Sequence, residues 1–318
     1  MTSSAPASAA AERPGRIDAK PVRHPWRWVA VAVIAVLVAM MVHSAVTNPK
    51  WDWSYVARVM NYRPILQGLW EGTILGTVLA MIIGLILGVL LAIMRLSTNP
   101  VLRGVAAVYT WFFRSIPRYV LLTILGVGIV FLYPTLTIGL PFGDSIARLF
   151  HLGTTFTVYS LDTRSVSQGI LIGALGLGLS EAAYMAEIAR AGILSVDQGQ
   201  VEAAHALGMS SGRTMRRIVL PQAMRVIVPP TGNETIAMVK DTSLLVAVPV
   251  GMELFNQAQI VANRTYRIMP VYVAATLWYL IVCSVLMVGQ TYLERRFGRG
   301  FTAPNARAQR LLSRAGEH

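Results

Sequence analysis

The sequence is short of charge. Only 14% of its 318 residues are Asp, Glu, Lys or Arg, where a soluble domain of this length carries about 25%. With 54% of residues hydrophobic, there is more apolar surface than a water-soluble fold can cover, and lipid is the solvent that suits it. Cysteine is almost absent. Cys283 stands alone in an apolar stretch, which excludes an internal disulfide and a cysteine-based metal site and reads as a small core residue. The five His residues show no HExxH or similar spacing, which argues against a metal enzyme. No Ser/Lys or Asp/Asp arrangement suggests an intramembrane enzyme. No GxxxxGK[ST] occurs either, so no P-loop nucleotide site is expected in this chain.

Acidic residues are scarcer than basic ones, 15 against 28, for a net charge of +13. In a soluble protein such a balance points to nucleic acid. Here no basic and aromatic patch lies on a soluble stretch. Lys and Arg collect instead in the cytoplasmic loops of membrane proteins, so no nucleic-acid partner is expected.

A spanning helix needs about 20 mostly apolar residues to cross about 30 Å of hydrocarbon. Six stretches meet or approach this: Trp26–Val46, Gln67–Met94, Val105–Tyr133, Gln168–Ile188, Asn233–Glu253 and Pro270–Tyr292. The second and third are long enough to tilt or to project from the bilayer. Residues 1–25, rich in Ala, Ser, Pro and Arg, read as a disordered tail, and 296–318 as a basic tail. No convincing small-x-small cleavage site follows the first apolar stretch, so it reads as a retained extra span over 26–46. With six spans and the N-terminus inside, seventeen of the 28 Lys and Arg fall in inside segments and seven outside. That bias predicts an all-α integral membrane protein with both termini cytoplasmic. The connection Pro134–Ser167 is too polar to span, and a short interfacial helix is a candidate within it. Gly72, Gly76, Gly84 and Gly88, at four-residue steps in parts of the second span, predict close helix packing.

Between the fourth and fifth stretches lies a polar cytoplasmic segment, Glu202–Pro221, reading EAAHALGMSSGRTMRRIVLP. Val201–Leu207 holds good helix formers and Gly208 ends that helix cheaply. Ser210 or Ser211 is placed to cap a second short helix through Arg213–Val219, and Pro221 is expected to limit how far it continues. Ala203-Ala204 removes bulk from one face. A juxtamembrane helix with Arg213, Arg216 and Arg217 on anionic lipid would use the same residues.

The segment resembles the EAA loop of the permeases of ABC importers: Glu-Ala-Ala, three residues, Gly, nine residues, Ile-x-Leu-Pro. Glu202-Ala203-Ala204, Gly208, Ile218, Leu220 and Pro221 meet every spacing. Glu181-Ala182-Ala183 also spells EAA, but Glu187 stands where Gly should be, and the triplet lies in an apolar span. AYMAEIARAGILSVDQGQVEAAHALGM, LPQAMRVIVPPTGNETIAMVKDTSL and FFRSIP are similar to the polar amino-acid permease subfamily, and the likeness runs from about Gly68 to Arg295. It implies a transmembrane permease domain over 67–295 with its coupling loop at 193–224, in a bacterial inner membrane. It implies a permease without ATPase activity, paired with a second copy or homologue. A cytoplasmic ATP-binding subunit would dock on the loop and carry ATP and Mg, with no cofactor on this chain. An extracytoplasmic binding protein would deliver substrate.

By motif, Glu202 and Gly208 would hold the ATPase contact, Ala203 and Ala204 would give close approach, and Leu220-Pro221 would fix the return into the next span. The implied cargo is an amino acid, polar or charged. An opine, a compatible solute or a sulfur amino acid suits the same machinery, and an ion-coupled carrier is the reading from another class. Ionisable residues within spans are expensive and so mark pathways. Candidates are Arg114, Arg118, Asn233, Glu234, Lys240 and Asp241, with Thr242 and Ser243. A Lys240–Asp241 ion pair holding a kinked span is the structural alternative, and Pro249 and Gly251 are placed to break that span. Glu187 and Arg190 read as a simple interfacial pair. Arg118 departs from the subfamily, which has Arg-Gly-Thr-Pro-Leu where this chain has Arg114-Ser115-Ile116-Pro117-Arg118.

Overall fold

In the computed structural model, residues 25–140, 143–151, 156–163 and 169–297 are described. The tails predicted at 1–25 and 296–318 lie almost wholly outside the described residues. The chain divides into two units, Met1–Trp51 and Asp52–His318. The first holds helix α1 (Pro25–Thr47), whose sequence is apolar around its circumference and whose apolar side chains are exposed. Such a helix is built for lipid or for a protein neighbour.

In the second unit, Asp52 caps α2 (Trp53–Met60) by accepting the Tyr55 N–H. A 34-residue helix, α3 (Arg63–Leu96), follows. Its turns widen to a π-helix over Gly68–Ile74. There Gly72 lies so close to another strand of backbone that a Cβ would come within 2.3 Å of Glu253 Cα. Helices α4 (Pro100–Ser115) and α5 (Arg118–Leu132) meet at a 100° bend, where Pro117 disfavours a helical Ile116. A hairpin of β1 (Thr135–Gly139) and β2 (Thr157–Asp162) brackets α6 (Gly143–Leu149). Helix α7 (Ile170–Leu194) leads to α8 (Gln198–Ala206). An unbroken helix over 211–241, α9, includes a π-helical turn at Met215–Val219 and the α-helix Leu220–Asp241. A 3-10 stretch, Thr242–Ala247, precedes α10 (Leu254–Thr265) and α11 (Ile268–Phe297).

Four of these helices, α1, α3, α7 and α11, are long and apolar enough to cross a bilayer. The bent pair α4–α5 would make a fifth span. The sequence suggests six. The difference is the fifth stretch, Asn233–Glu253. Its helix lies over 211–241, offset toward the N-terminus, and its Pro229, Pro230, Asn233, Glu234, Lys240 and Asp241 keep it too polar to qualify. The expected all-α fold also needs amending. The hairpin within Pro134–Ser167 is rich in β-branched and aromatic residues, which suit a strand, and the expected short helix sits between its strands.

Helices α3 and α7 run parallel, since successive contacts climb together. A Cβ on Gly84 would meet Glu181, and one on Gly88 would meet Met185. At the ends of the same pair, Arg95 reaches Glu187 at 3.4 Å. Helix α9 and the 3-10 stretch after it return antiparallel along α7, with Ile227 against Gly192 and Leu245 against Gly173. Ala80, Leu122, Leu177, Met238, Leu245, Val248 and Val250 form a buried cluster that joins α3, α5, α7 and α9. Inside a bilayer such packing gains van der Waals contacts rather than escape from water. It also fixes the helices that carry the ionisable residues described next.

Candidate functional site

Two arrangements carry the sequence-derived candidates. In the first, α8 is capped by Asp197, which accepts the Gly199 N–H at 2.6 Å. At its other end the Gly208 N–H bonds to His205 O and the Met209 N–H to Ala204 O, with Gly208 at φ +79°. This is the Schellman arrangement, in which a left-handed residue after the helix satisfies its last carbonyls. Glycine is required there by conformation, not by space, because a Cβ added at Gly208 would meet nothing within 4 Å.

Ala204 is buried, 2% exposed, while Glu202 and Ala203 face outward. The two alanines therefore do not share a face. Leu207, beside the turn, is 84% exposed. Ser210 takes the N-cap position of the next helix, but its side chain accepts no capping hydrogen bond. The expected interruption at Pro221 does not occur. The Leu220 N–H bonds to Met215 O, five residues back, and the widened π-helical turn delivers the chain to Pro221 as an early residue of Leu220–Asp241. Ile218 is half-buried, and Leu220 and Pro221 are exposed. Gln222 Nε2 donates to Gln200 Oε1 at 2.7 Å and to Ile218 O at 3.0 Å. Val196, Val219 and Ala223 form a small core beneath. The two helices are thus braced against each other.

The second arrangement is ionic. Arg118, at the start of α5, places Nη2 2.9 Å from Glu181 Oε2 on α7 and pairs through Nη1 with Asp241 on α9. Glu234 Oε2 stands 4.0 Å from Nη2. The guanidinium lies over the Tyr184 ring, 4.9 Å from its centroid, and Arg114 lies over the same ring at 5.5 Å. The Arg118 side chain is 14% exposed and that of Glu181 0%. Glu181 Oε1 and the neighbouring Ser180 Oγ are buried and have no hydrogen-bond partner. Three carboxylates against one guanidinium leave the cluster acid-rich. A charge taken out of water is tolerable only when paired and hydrogen-bonded.

Of the pathway candidates, Arg118, Glu234 and Asp241 therefore come together, and Arg114 joins them through Tyr184. The others lie elsewhere. Asn233 Oδ1 accepts from Gln290 Nε2 at 2.8 Å. Thr242 Oγ1 donates to Val239 O and Ser243 Oγ to Lys240 O. Lys240 is exposed, and Asp241 pairs with Arg118, so the alternative of a Lys240–Asp241 pair does not form. Arg190 and Glu187 do pair, with Arg190 Nη2 2.8 Å from Glu187 Oε2. Sequence reasoning missed Glu181 as a site residue, since it stood only as an EAA look-alike in an apolar span. A carboxylate inside a span was itself the signal. It also missed Glu253. Among the described residues, no group of His, Cys, Asp and Glu is placed to hold a metal ion.

The chain is similar to known transport proteins. It is 44% identical to the arginine transport system permease protein ArgU of Corynebacterium glutamicum over 296 residues, 92% of this chain and 87% of that one. It is 31% identical to the probable glutamine ABC transporter permease protein GlnM of Bacillus subtilis, over 66% of this chain and 82% of the relative. Among solved structures, the crystal structure of an amino acid ABC transporter with histidines is 29% identical at a TM-score of 0.55. It covers 71% of this chain and 92% of that one. The model of the binding-protein-dependent transport system inner membrane component matches residues 84–299. The chain is a multi-pass, largely helical membrane protein, and it belongs to the family of binding-protein-dependent transport system inner membrane components.

Proposed function

We propose that this chain is the permease of an ATP-driven amino-acid importer, driven by a separate ATPase that grips Glu202–Pro221. The observation that carries the reading is the build of that segment. A complete EAA spacing is folded as two braced helices around a left-handed glycine, with Glu202, Ala203 and the 84%-exposed Leu207 on the outer surface. A surface held this firmly and left uncovered suits a lever. Closure of the ATPase pair would move the braced helices as one body, and α7 and α9 with them, switching access from one side of the membrane to the other.

In this reading the permease domain covers 67–295 with five spans, one of them the polar helix α9, the extra first span at 26–46 makes six, and both termini lie in the cytoplasm. The Lys and Arg asymmetry supports this orientation. A second permease, identical or homologous, completes the pathway. An extracytoplasmic binding protein supplies the cargo, and the partner ATPase carries ATP and Mg. The first substrate to test is arginine. The relative identical at 44% of positions is named for it, and the acid-rich cluster around Arg118 suits a cationic solute. Glutamine, for which the second relative is named, is the neutral comparison.

The test is uptake of labelled arginine, lysine, glutamate and glutamine into proteoliposomes holding the permease and its ATPase, with ATP inside and binding protein outside. Uptake that needs all three components is expected. Uptake that persists without the ATPase would overturn the reading in favour of an ion-coupled carrier.

A further inference from the structure

Arg118 does something unusual for an arginine in the middle of a helical bundle. Its guanidinium is held by Glu181 and Asp241, faces Glu234 at 4.0 Å, and lies against an aromatic ring. Carboxylates plus a π-face are the recognition elements for a guanidinium or ammonium ion in general. The acids come from α7 and α9, whose mutual packing is set by the buried cluster. The cation comes from the first residue of α5, directly after the 100° bend at Ser115–Arg118. The cage is thus anchored in packed helices, and the group that fills it is carried on a corner. The fit is incomplete: Glu181 Oε1, on a fully buried residue, has no donor, and three carboxyl groups share one guanidinium.

We propose that Arg118 is a tethered stand-in for the cationic end of the cargo, occupying the Glu181–Asp241–Glu234 cage in the empty permease and giving way when a cationic amino acid arrives. This deepens the importer reading and rests on it. The exchange involves no covalent step, only transfer of carboxylate hydrogen bonds from one cation to another. It spares the cage the penalty of buried, unpaired carboxylates between cargo molecules. It also discriminates by charge, since a neutral side chain cannot replace a guanidinium against two carboxylates without leaving them unpaired. A tethered competitor lowers the apparent affinity by the fraction of time it occupies the site.

The experiment is direct binding of labelled lysine, arginine and glutamine to the assembled permease–ATPase complex in lipid nanodiscs, without binding protein. The complex carries the wild-type permease, Arg118→Leu, Arg118→Lys, or Arg118→Leu with Glu181→Gln. Arg118→Leu should bind lysine and arginine on the order of tenfold tighter, with glutamine unchanged. Arg118→Lys should stay near wild type, and the double variant should lose the gain. An assembled Arg118→Leu complex that binds cations no tighter than wild type overturns the proposal and leaves Arg118 a structural ion pair.

Because Arg118→Leu strands buried acids and can fail to assemble, a second measurement uses the wild-type chain. Saturating lysine should increase the modification of Arg118 by phenylglyoxal, read by mass spectrometry, and glutamine should not. Unchanged modification also overturns the proposal. Uptake by the wild-type assembly tests the importer reading separately, so failure of one is distinguishable from failure of the other.

Discussion

The Tyr279 hydroxyl donates to Glu253 Oε1 at 2.5 Å, tying α11 to the residue that caps α10. Glu253 is 0% exposed. Its Oε2 accepts the N–H groups of Phe255 and Asn256 at 2.7 and 3.2 Å, and its Oε1 also accepts from Thr73 Oγ1 at 2.8 Å. One buried carboxylate thus joins α3, α10 and α11, in a space that Gly72 leaves open. Tyr279→Phe removes one donor and should lower stability by about 1–3 kcal/mol. Cys283, one turn further along α11, is free and buried, so its reaction with a fluorogenic thiol probe during heating reports unfolding. A Tyr279→Phe protein that exposes Cys283 at the wild-type temperature would show that the bond holds nothing.

The second prediction concerns how α3 supports the ionic cage. A Cβ on Gly84 would lie 2.7 Å from Glu181 Cγ and 2.9 Å from its Cβ. Glu181 is fully enclosed, so Gly84→Ala must shift it or separate the helices. Overpacking of this kind costs roughly 1–3 kcal/mol, and the Arg118–Glu181 pair should be disturbed with it. Gly104→Ala in α4 is the control. Nothing lies within 4 Å of its added carbon, and alanine is the better helix former by about 0.8–1.0 kcal/mol. The thiol melt should therefore fall for Gly84→Ala and stay level or rise for Gly104→Ala. Equal behaviour would remove close α3–α7 contact from the account.

A third prediction follows from Asp52. Its carboxylate accepts from Ser54 Oγ at 2.8 Å, from the Tyr55 N–H at 3.2 Å and from Arg267 Nη1 at 2.6 Å. The Ser54 hydrogen bond leads in holding its pKa below the ordinary 3.8. Burial opposes it, and the Tyr55 N–H, Arg267 and Arg58 add to the lowering. The folded value is depressed. The contribution to stability is therefore present above the unfolded pKa and is lost as pH falls through the folded one. Hydrogen exchange at the start of α2 should be level from pH 7 down to about 5, after correction for intrinsic rates. It should speed up as pH falls below about 4. Asp52→Asn should exchange faster at neutral pH and lose most of this acid response. If the two proteins respond alike, Asp52 is not the group that titrates.

Much of the architecture was legible because membrane spans are written as long apolar runs, and α1, α3, α7 and α11 are such runs. The α9 region was misplaced because polar residues and prolines break the apolar signal there, while α7 and the buried cluster still hold the helix. Pro221 misled for a related reason. It enters just after the widened turn Met215–Val219, as an early residue of Leu220–Asp241, where its missing N–H is tolerated. At the ionic site, the excess of charge within spans picked out Arg118, Glu234 and Asp241. It did not reveal that Glu181 completes the set. That residue lies 63 positions from Arg118 along the chain, and only the packing of α5 on α7, with Leu122 and Leu125 against Gly176, brings the two together.

The last prediction separates the conformation of the coupling segment from its surface. Gly208 sits at φ +79° with open space around it. A substitution there pays for backbone handedness and not for collision, roughly 1–2 kcal/mol for an ordinary residue. Asn and Asp tolerate the left-handed region best and are nearly identical in shape, so they differ chiefly in charge. Val, being β-branched, tolerates it worst. If the segment is a docking surface, Gly208→Asn should keep most of the ATP-driven uptake, and Gly208→Asp should abolish it while the protein remains in the membrane. Gly208→Val should lose uptake by disordering the turn between α8 and α9, seen as faster hydrogen exchange at Met209. Equal uptake by the Asn and Asp variants would mean that no partner surface lies against Gly208. Wild-type uptake by all three would remove the segment from the coupling mechanism.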